Sequence, residues 1–160
     1  MTRAAAAATV DPEQLGGRAS RPPQLRETLQ LTLEAEPMEL AGLRHSVGRW
    51  LSLQGISEQD RFDITLATSE AAGNSIEHAY GADKATLTVI CQRKSAGVRV
   101  CVRDNGRWRD GGPYGRGRGL AIMRALVDSV EIRRGEHGTT VVLTKRCARS
   151  GPHAAAAADC

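Results

Sequence analysis

The chain has 160 residues, of which 41% are hydrophobic and 25% charged, with a formal net charge of +4. That composition fits one soluble globular domain and excludes a wholly disordered chain or two full domains. No apolar run approaches the ~18 residues a membrane helix needs, and five aromatics are too few for a base-stacking nucleic-acid surface. Residues 1–26 combine an alanine tract, Gly16-Gly17 and Pro22-Pro23 without hydrophobic periodicity, and read as a disordered extension. Thr28 to Glu34 alternates, with Leu29, Leu31 and Leu33 on one face, as a half-buried strand does. From Pro37 the residues Leu40, Leu43, Val47, Trp50 and Leu51 form a helical stripe that Gly55 stops. Ser57 and Asp60 open a longer helix that runs to about Tyr80 and ends at Gly81.

Strands come next. Leu87, Val89 and Cys91 share one parity, and Val98, Val100 and Val102 alternate with Arg99, Cys101 and Arg103. A glycine- and arginine-rich loop, Asn105 to Arg116, precedes a short helix from about Gly117 to Asp128. Val130 and Ile132, then Thr139, Val141 and Leu143, form a closing hairpin around Gly135–Gly138. Residues 147–160 end in another alanine run and read as a disordered tail, leaving 27–146 as the folded domain. The order β-α-α-β-β-α-β-β, with one apolar face per strand, predicts a two-layer α/β sandwich: a mixed sheet with helices on one face. The cysteines at 91, 101, 147 and 160 show no C-x-x-C spacing, which suits reduced thiols in a cytoplasm. Lysine occurs only at positions 84, 94 and 145, and the arginine bias fits GC-rich coding as well as phosphate recognition.

Three features carry chemistry. Asp104 continues the inward parity of Val98, Val100 and Val102. A carboxylate there either has a partner, since burying it alone costs several kcal/mol, or sits past the strand end and turns into solvent. Thr139 shares that inward parity. Glu70, Asn74, Glu77 and His78 fall within an arc of about 100° on the second helix. Such a stripe is either a solvated face or a set of oxygen ligands for a hard cation such as Mg²⁺. Gly115-Arg116-Gly117-Arg118-Gly119 then runs into Leu120, Ala121, Ile122 and Met123. Glycines entering a helix free backbone N–H groups to face an anion, and arginines add charge-assisted donors. The dinucleotide fingerprint is excluded because the glycines do not follow their strand closely, and no Gly-Lys-Ser or Gly-Lys-Thr of a P-loop occurs.

In order along residues 28–145, Asn74 on its helix stripe, Asp104-Asn105-Gly106, Gly117-x-Gly119 and Gly138-Thr139 resemble the GHKL (Bergerat-fold) ATPases. Glu70-Ala-Ala-Gly-Asn74-Ser-Ile-Glu-His78-Ala-Tyr80, Asp104-Asn-Gly-Arg-Trp108 and Gly117-Arg-Gly-Leu120-Ala-Ile-Met123 are similar to the RsbW-like branch of serine/threonine kinases. The resemblance implies ATP and Mg²⁺ as cofactors. It assigns Asn74 to the metal on the triphosphate and Glu70 to general-base duty on an incoming serine. It assigns Asp104 to the adenine amino group, Gly106 to close approach of backbone to the base, and Thr139 to adenine through water. Arg116, Gly117, Arg118, Gly119 and Leu120 belong to the segment that meets the phosphates, and His78 takes a supporting place. Trp108 stands where the family's second glycine falls, a departure that bears on how the adenine pocket closes.

The function that the resemblance implies is that of a cytoplasmic anti-sigma regulatory kinase. It would bind a sigma factor and phosphorylate a sulfate-transporter/anti-sigma-antagonist (STAS)-like antagonist. The alternative is an ATP-gated partner-binding module of weak catalysis, and a third reading is a small basic nucleic-acid binder. The leading reading needs neither direct nucleic-acid contact nor a membrane. Related kinases pair as dimers, and the Leu40–Leu51 stripe offers either such a surface or, as is commoner, a core face.

Overall fold

The computed structural model describes residues 27–78, 85–106, 118–135 and 138–147. Residues 1–26 and 148–160, Trp108, Arg116 and Gly117 lie outside the described residues, whereas Cys147, the first residue of the expected tail, is buried in the core. The elements run β1 (Thr28–Glu34), α1 (Glu39–Leu53), α2 (Glu58–His78), β2 (Thr86–Lys94), β3 (Gly97–Asp104), α3 (Arg118–Leu126), β4 (Ser129–Gly135) and β5 (Gly138–Arg146). This is the expected order, and the fold is a two-layer α/β sandwich.

Local chemistry sets the helix boundaries. Gly55, at φ 68, ends α1: its N–H donates to Ser52 O at 3.1 Å and the Ile56 N–H to Leu51 O at 3.2 Å. That is the paired closure that a left-handed glycine permits, with Ile56 and Leu51 both buried beneath it. At the start of α2 the Ser57 hydroxyl accepts from the Asp60 N–H at 3.2 Å and donates to Asp60 Oδ2 at 2.9 Å. The cap satisfies one orphan amide as expected, but the shorter Asp meets the serine hydroxyl where a Glu would reach back to the serine backbone.

The five strands lie in the order β1-β2-β3-β5-β4. β3 and β4 run the same way, as a helical crossover makes them, but β5 inserts between them, so all four adjacent pairs are antiparallel. Register aligns the inward rows: Val89 faces Val102, which faces Val141, and Cys91 faces Val100, which faces Leu143. These side chains are buried beneath Leu43, Val47, Trp50 and Leu51 of α1 and Ile64, Ala67 and Ala71 of α2. The small residues of α2 let that helix lie close against the sheet. Burial is thus confined largely to one sheet face, where each large aliphatic side chain contributes roughly 1.5–3 kcal/mol. The α1 stripe is spent on this core. No helix among the described residues is long and apolar enough to cross a membrane.

Candidate functional site

Residues from α2, α3, β3, β4 and β5 line a small recess at one end of the sandwich. Asn74, Ser75, Asp104, Met123, Thr139 and Val141 contribute to its wall, with Ile132 at the rim. Asp104 is the last residue of β3 and is 6% exposed, so its carboxylate points inward as its parity predicts. Its Oδ1 accepts from the Thr139 N–H at 2.9 Å and from the Gly106 N–H at 3.2 Å. Two backbone donors on one oxygen fix the carboxylate plane and offset part of its desolvation.

Gly138 makes this arrangement possible. Its φ of 128 lies where side-chain-bearing residues are strained, and a Cβ there would collide with the Asp104 carbonyl. The start of β5 therefore approaches the end of β3 closely enough for Thr139 to reach Asp104. Asn105 braces the same corner, its Oδ1 accepting from the Thr86 N–H at 2.9 Å. Thr139 is itself 5% exposed, its hydroxyl on the inward face as expected.

The other half of the site is the contact of α2 with the first turn of α3. A Cβ on Gly119 would stand 3.1 Å from Asn74 Nδ2, 3.2 Å from Asn74 Oδ1 and 3.3 Å from Glu70 Oε2. Glu70 and Asn74, one helical turn apart, thus present a carboxylate and an amide to the N-terminal turn of α3. Both are half-buried, and Glu77 of the same stripe is exposed. Helix N-termini carry unsatisfied N–H groups and partial positive charge, so this turn suits an anion, while the Asn74 and Glu70 oxygens suit a hard cation. Among the described residues no group of three or more His, Cys, Asp or Glu gathers for a metal. A cation here would rest on one or two protein oxygens and complete its shell with water and phosphate, as Mg²⁺ does. On these grounds the residues present fit a magnesium nucleotide.

Of the residues singled out from sequence, Glu70, Asn74 and Gly119 come together, as do Asp104, Gly106 and Thr139, and Asn74 joins the two groups along the recess. Arg118 is exposed at the start of α3, and Leu120 is half-buried and packs against the hydrophobic core. Arg116 and Gly117 lie outside the described residues. Ser75, Met123, Ile132 and Val141 join the site without having been expected there. The inward parity of Val141 and the 5% exposure of Ser75 beside Asn74 make them wall residues. Of these signals only the parity is visible in the sequence.

Comparison with known proteins identifies the family. Residues 33–145 match the family described as "Histidine kinase-like ATPase domain". The chain is 27% identical over 136 residues to the serine-protein kinase RsbW of Bacillus cereus (strain ATCC 10987 / NRS 248), covering 74% of this chain and 84% of that one. RsbW of Bacillus mycoides (strain KBAB4) is 26% identical with the same coverage. Among solved structures, that of the RsbU and RsbW domains of Rv1364c from Mycobacterium tuberculosis superposes with a TM-score of 0.64 at 33% identity. The match covers 75% of this chain and spans about a third, 32%, of that longer one. The chain belongs to the histidine kinase-like (GHKL) ATPase family, and within it is related to the RsbW-type anti-sigma-factor kinases.

Proposed function

We propose that this protein is an ATP-dependent serine/threonine kinase acting as an anti-sigma regulatory factor. It holds a sigma factor and phosphorylates a serine on a STAS-like antagonist. The observation that carries the reading is the meeting of Gly119 with Glu70 and Asn74 beside a recess floored by Asp104. One end of that site suits a polyphosphate and the other a base with an exocyclic amine.

Bound ATP supplies the transferable phosphoryl group, and Mg²⁺ neutralises charge on it. Asn74 Oδ1 would hold the cation. The Asp104 carboxylate accepts from the adenine amino group with the oxygen lone pairs that Thr139 and Gly106 leave free, and the Thr139 hydroxyl adds a contact through water. Gly106 lets the backbone approach the base, Arg118, Gly119 and Leu120 open the helix that would meet the phosphates, and Arg116 and Gly117, outside the described residues, are assigned to the same role by sequence alone. Glu70 takes the proton from the substrate serine as its oxygen bonds to the γ-phosphorus and the bond to the β-phosphate oxygen breaks, releasing ADP. For phosphoryl transfer a protein mainly positions groups and stabilises charge, so this small set suffices. The phosphate adds about −1.5 to −2 charges at the antagonist's contact, enough to drive an interface apart.

Incubation with labelled ATP and the cognate antagonist tests the reading: label on an antagonist serine is expected, and Glu70→Gln should abolish transfer while sparing ATP binding. Transfer undiminished in Glu70→Gln removes the base assignment. No transfer by folded protein to an antagonist that binds it leaves an ATP-gated binding module in place of a kinase.

A further inference from the structure

Lys145 lies near the far end of β5, about 20 Å of strand from Thr139. Its ammonium is largely buried and donates to Leu126 O at 2.7 Å and to Asp63 Oδ2 at 2.9 Å, with Asp60 Oδ1 at 3.7 Å. Leu126 is the last residue of α3, and its carbonyl is one of those a helix end leaves without an intrahelical donor. Asp63 belongs to the second turn of α2, is 8% exposed, and accepts a further bond from Gln59 Nε2 at 2.8 Å. Three elements therefore converge on one cation: β5, the C-terminus of α3 and the N-terminal part of α2. The opposite ends of the same three elements build the site, as Thr139 on β5, Gly119 on α3, and Glu70 and Asn74 on α2.

α3 is short; Met123 is its one fully buried side chain, and Leu120 and Leu126 pack against the core beside it, so its place on α2 rests on a few side chains and on the bonds made at its end. Just beyond the helix the Asp128 N–H donates to Thr144 O at 3.0 Å and its carboxylate accepts from the Arg146 N–H at 2.6 Å. Within α3 itself the Lys145 bond to Leu126 adds to those anchors in setting the axial position, and the bond to Asp63 refers that position to α2. A displacement at Leu126 is carried along the rigid helix to Gly119, which lies close enough to α2 that a Cβ there would stand only 3.1–3.3 Å from Asn74 and Glu70.

We propose that Lys145 is a positioning residue: it sets the register of α3 on α2 and thereby chiefly the phosphate half of the site. The inference rests on the nucleotide reading of the site. The polar contacts of the adenine half, the Asp104 bonds to Thr139 and Gly106, come from β3 and β5, and α3 adds only the Met123 side chain to its wall.

Lys145→Met alone strands the buried Asp63 carboxylate and will unfold part of the sample. The decisive protein is the double variant Asp63→Asn with Lys145→Met in the full chain, which removes both charges together. Calorimetry should show affinity for magnesium ATP falling about tenfold, the scale on which a coupled position away from a ligand acts, while affinity for adenosine stays within about twofold of the unaltered chain. Hydrogen exchange without ligand should be faster at the α3 amides and unchanged in β3. Lys145→Arg, which keeps a cation within reach of Leu126 O, should recover most of the ATP affinity. Equal losses for ATP and adenosine would make Lys145 a general stabiliser and overturn the proposal, as would unchanged ATP affinity or unchanged α3 exchange. Failure of the unaltered chain to bind either ligand overturns the nucleotide reading itself, and this inference with it.

Discussion

Asp104 receives two backbone N–H groups on a single oxygen, and that asymmetry separates its structural work from its proposed ligand work. In Asp104→Asn the amide oxygen can still accept from Thr139 and Gly106. What is lost is the negative acceptor facing the base, and hydrogen bonds to charged groups contribute roughly 1.5–3 kcal/mol. The variant should therefore melt close to the unaltered chain while its affinity for adenine nucleotides falls at least tenfold by calorimetry. A variant that binds ATP normally would remove Asp104 from the purine contact. Gly119 gives the complementary test at the other end of the recess. Alanine is the better helix former by about 1 kcal/mol, yet its methyl group would stand 3.1–3.3 Å from Asn74 and Glu70. Gly119→Ala should keep stability within about 1 kcal/mol of the original and bind magnesium ATP far less well than adenosine. Unchanged ATP affinity would show that α3 yields freely there.

Among the elements, α2 links folding to function, since its first turns meet Lys145 and its later turns carry Glu70 and Asn74. Its N-terminal cap rests on Ser57, and removing such a cap costs about 1 kcal/mol. Ser57→Ala should lower the urea unfolding free energy by that amount without altering the relative affinities for ATP and adenosine; a loss confined to nucleotide binding would contradict a purely local cap. This cap is legible in the sequence because capping chemistry is local, as is the αL glycine at position 55. Strand faces are legible for a similar reason: a period of two fixes which side chains share a side, and it places Asp104 and Thr139 inward without knowledge of any contact. The meeting of Gly119 with Glu70 and Asn74 is not legible from spacing, because the register of one helix on another depends on tertiary packing. Nor does the sequence single out Lys145. Along the chain it is one cation near the end of a strand, and only the convergence of Asp63 and Leu126, far from it in sequence, gives it meaning.

At the scale of the whole molecule, titration shows how the folded state holds its protons. Burial pushes the Cys91 thiol up to about 12 from an ordinary 9.0. Above pH 9 the unfolded chain loses a proton that the folded chain keeps, so stability falls as pH rises. Cys147 acts in the same direction, its thiol raised chiefly by burial. For Lys145 burial presses the pKa down, but the hydrogen bond and charge of Asp63, with the charges of Asp60 and Asp128, raise it overall from 10.5. Its contribution is complete below that value and is lost as pH climbs through the raised one. Asp128 is held below 3.8, first by the Arg146 backbone bond, so its smaller contribution is present above that value and is lost on acidification. Thermal midpoints should accordingly be flat from about pH 5 to 8 and decline above about 9, before lysine titrates. Cys91→Ala will lower the plateau by opening space in the core but should shrink the alkaline decline. Ellman's reagent provides an independent check, because at pH 8 Cys91 should react only as fast as the molecule unfolds globally. An equally steep alkaline limb in Cys91→Ala, together with rapid labelling of Cys91 in the folded chain, would mean that the β2–β3 interior admits solvent. The close-packed valine rows flanking that thiol argue against such an opening.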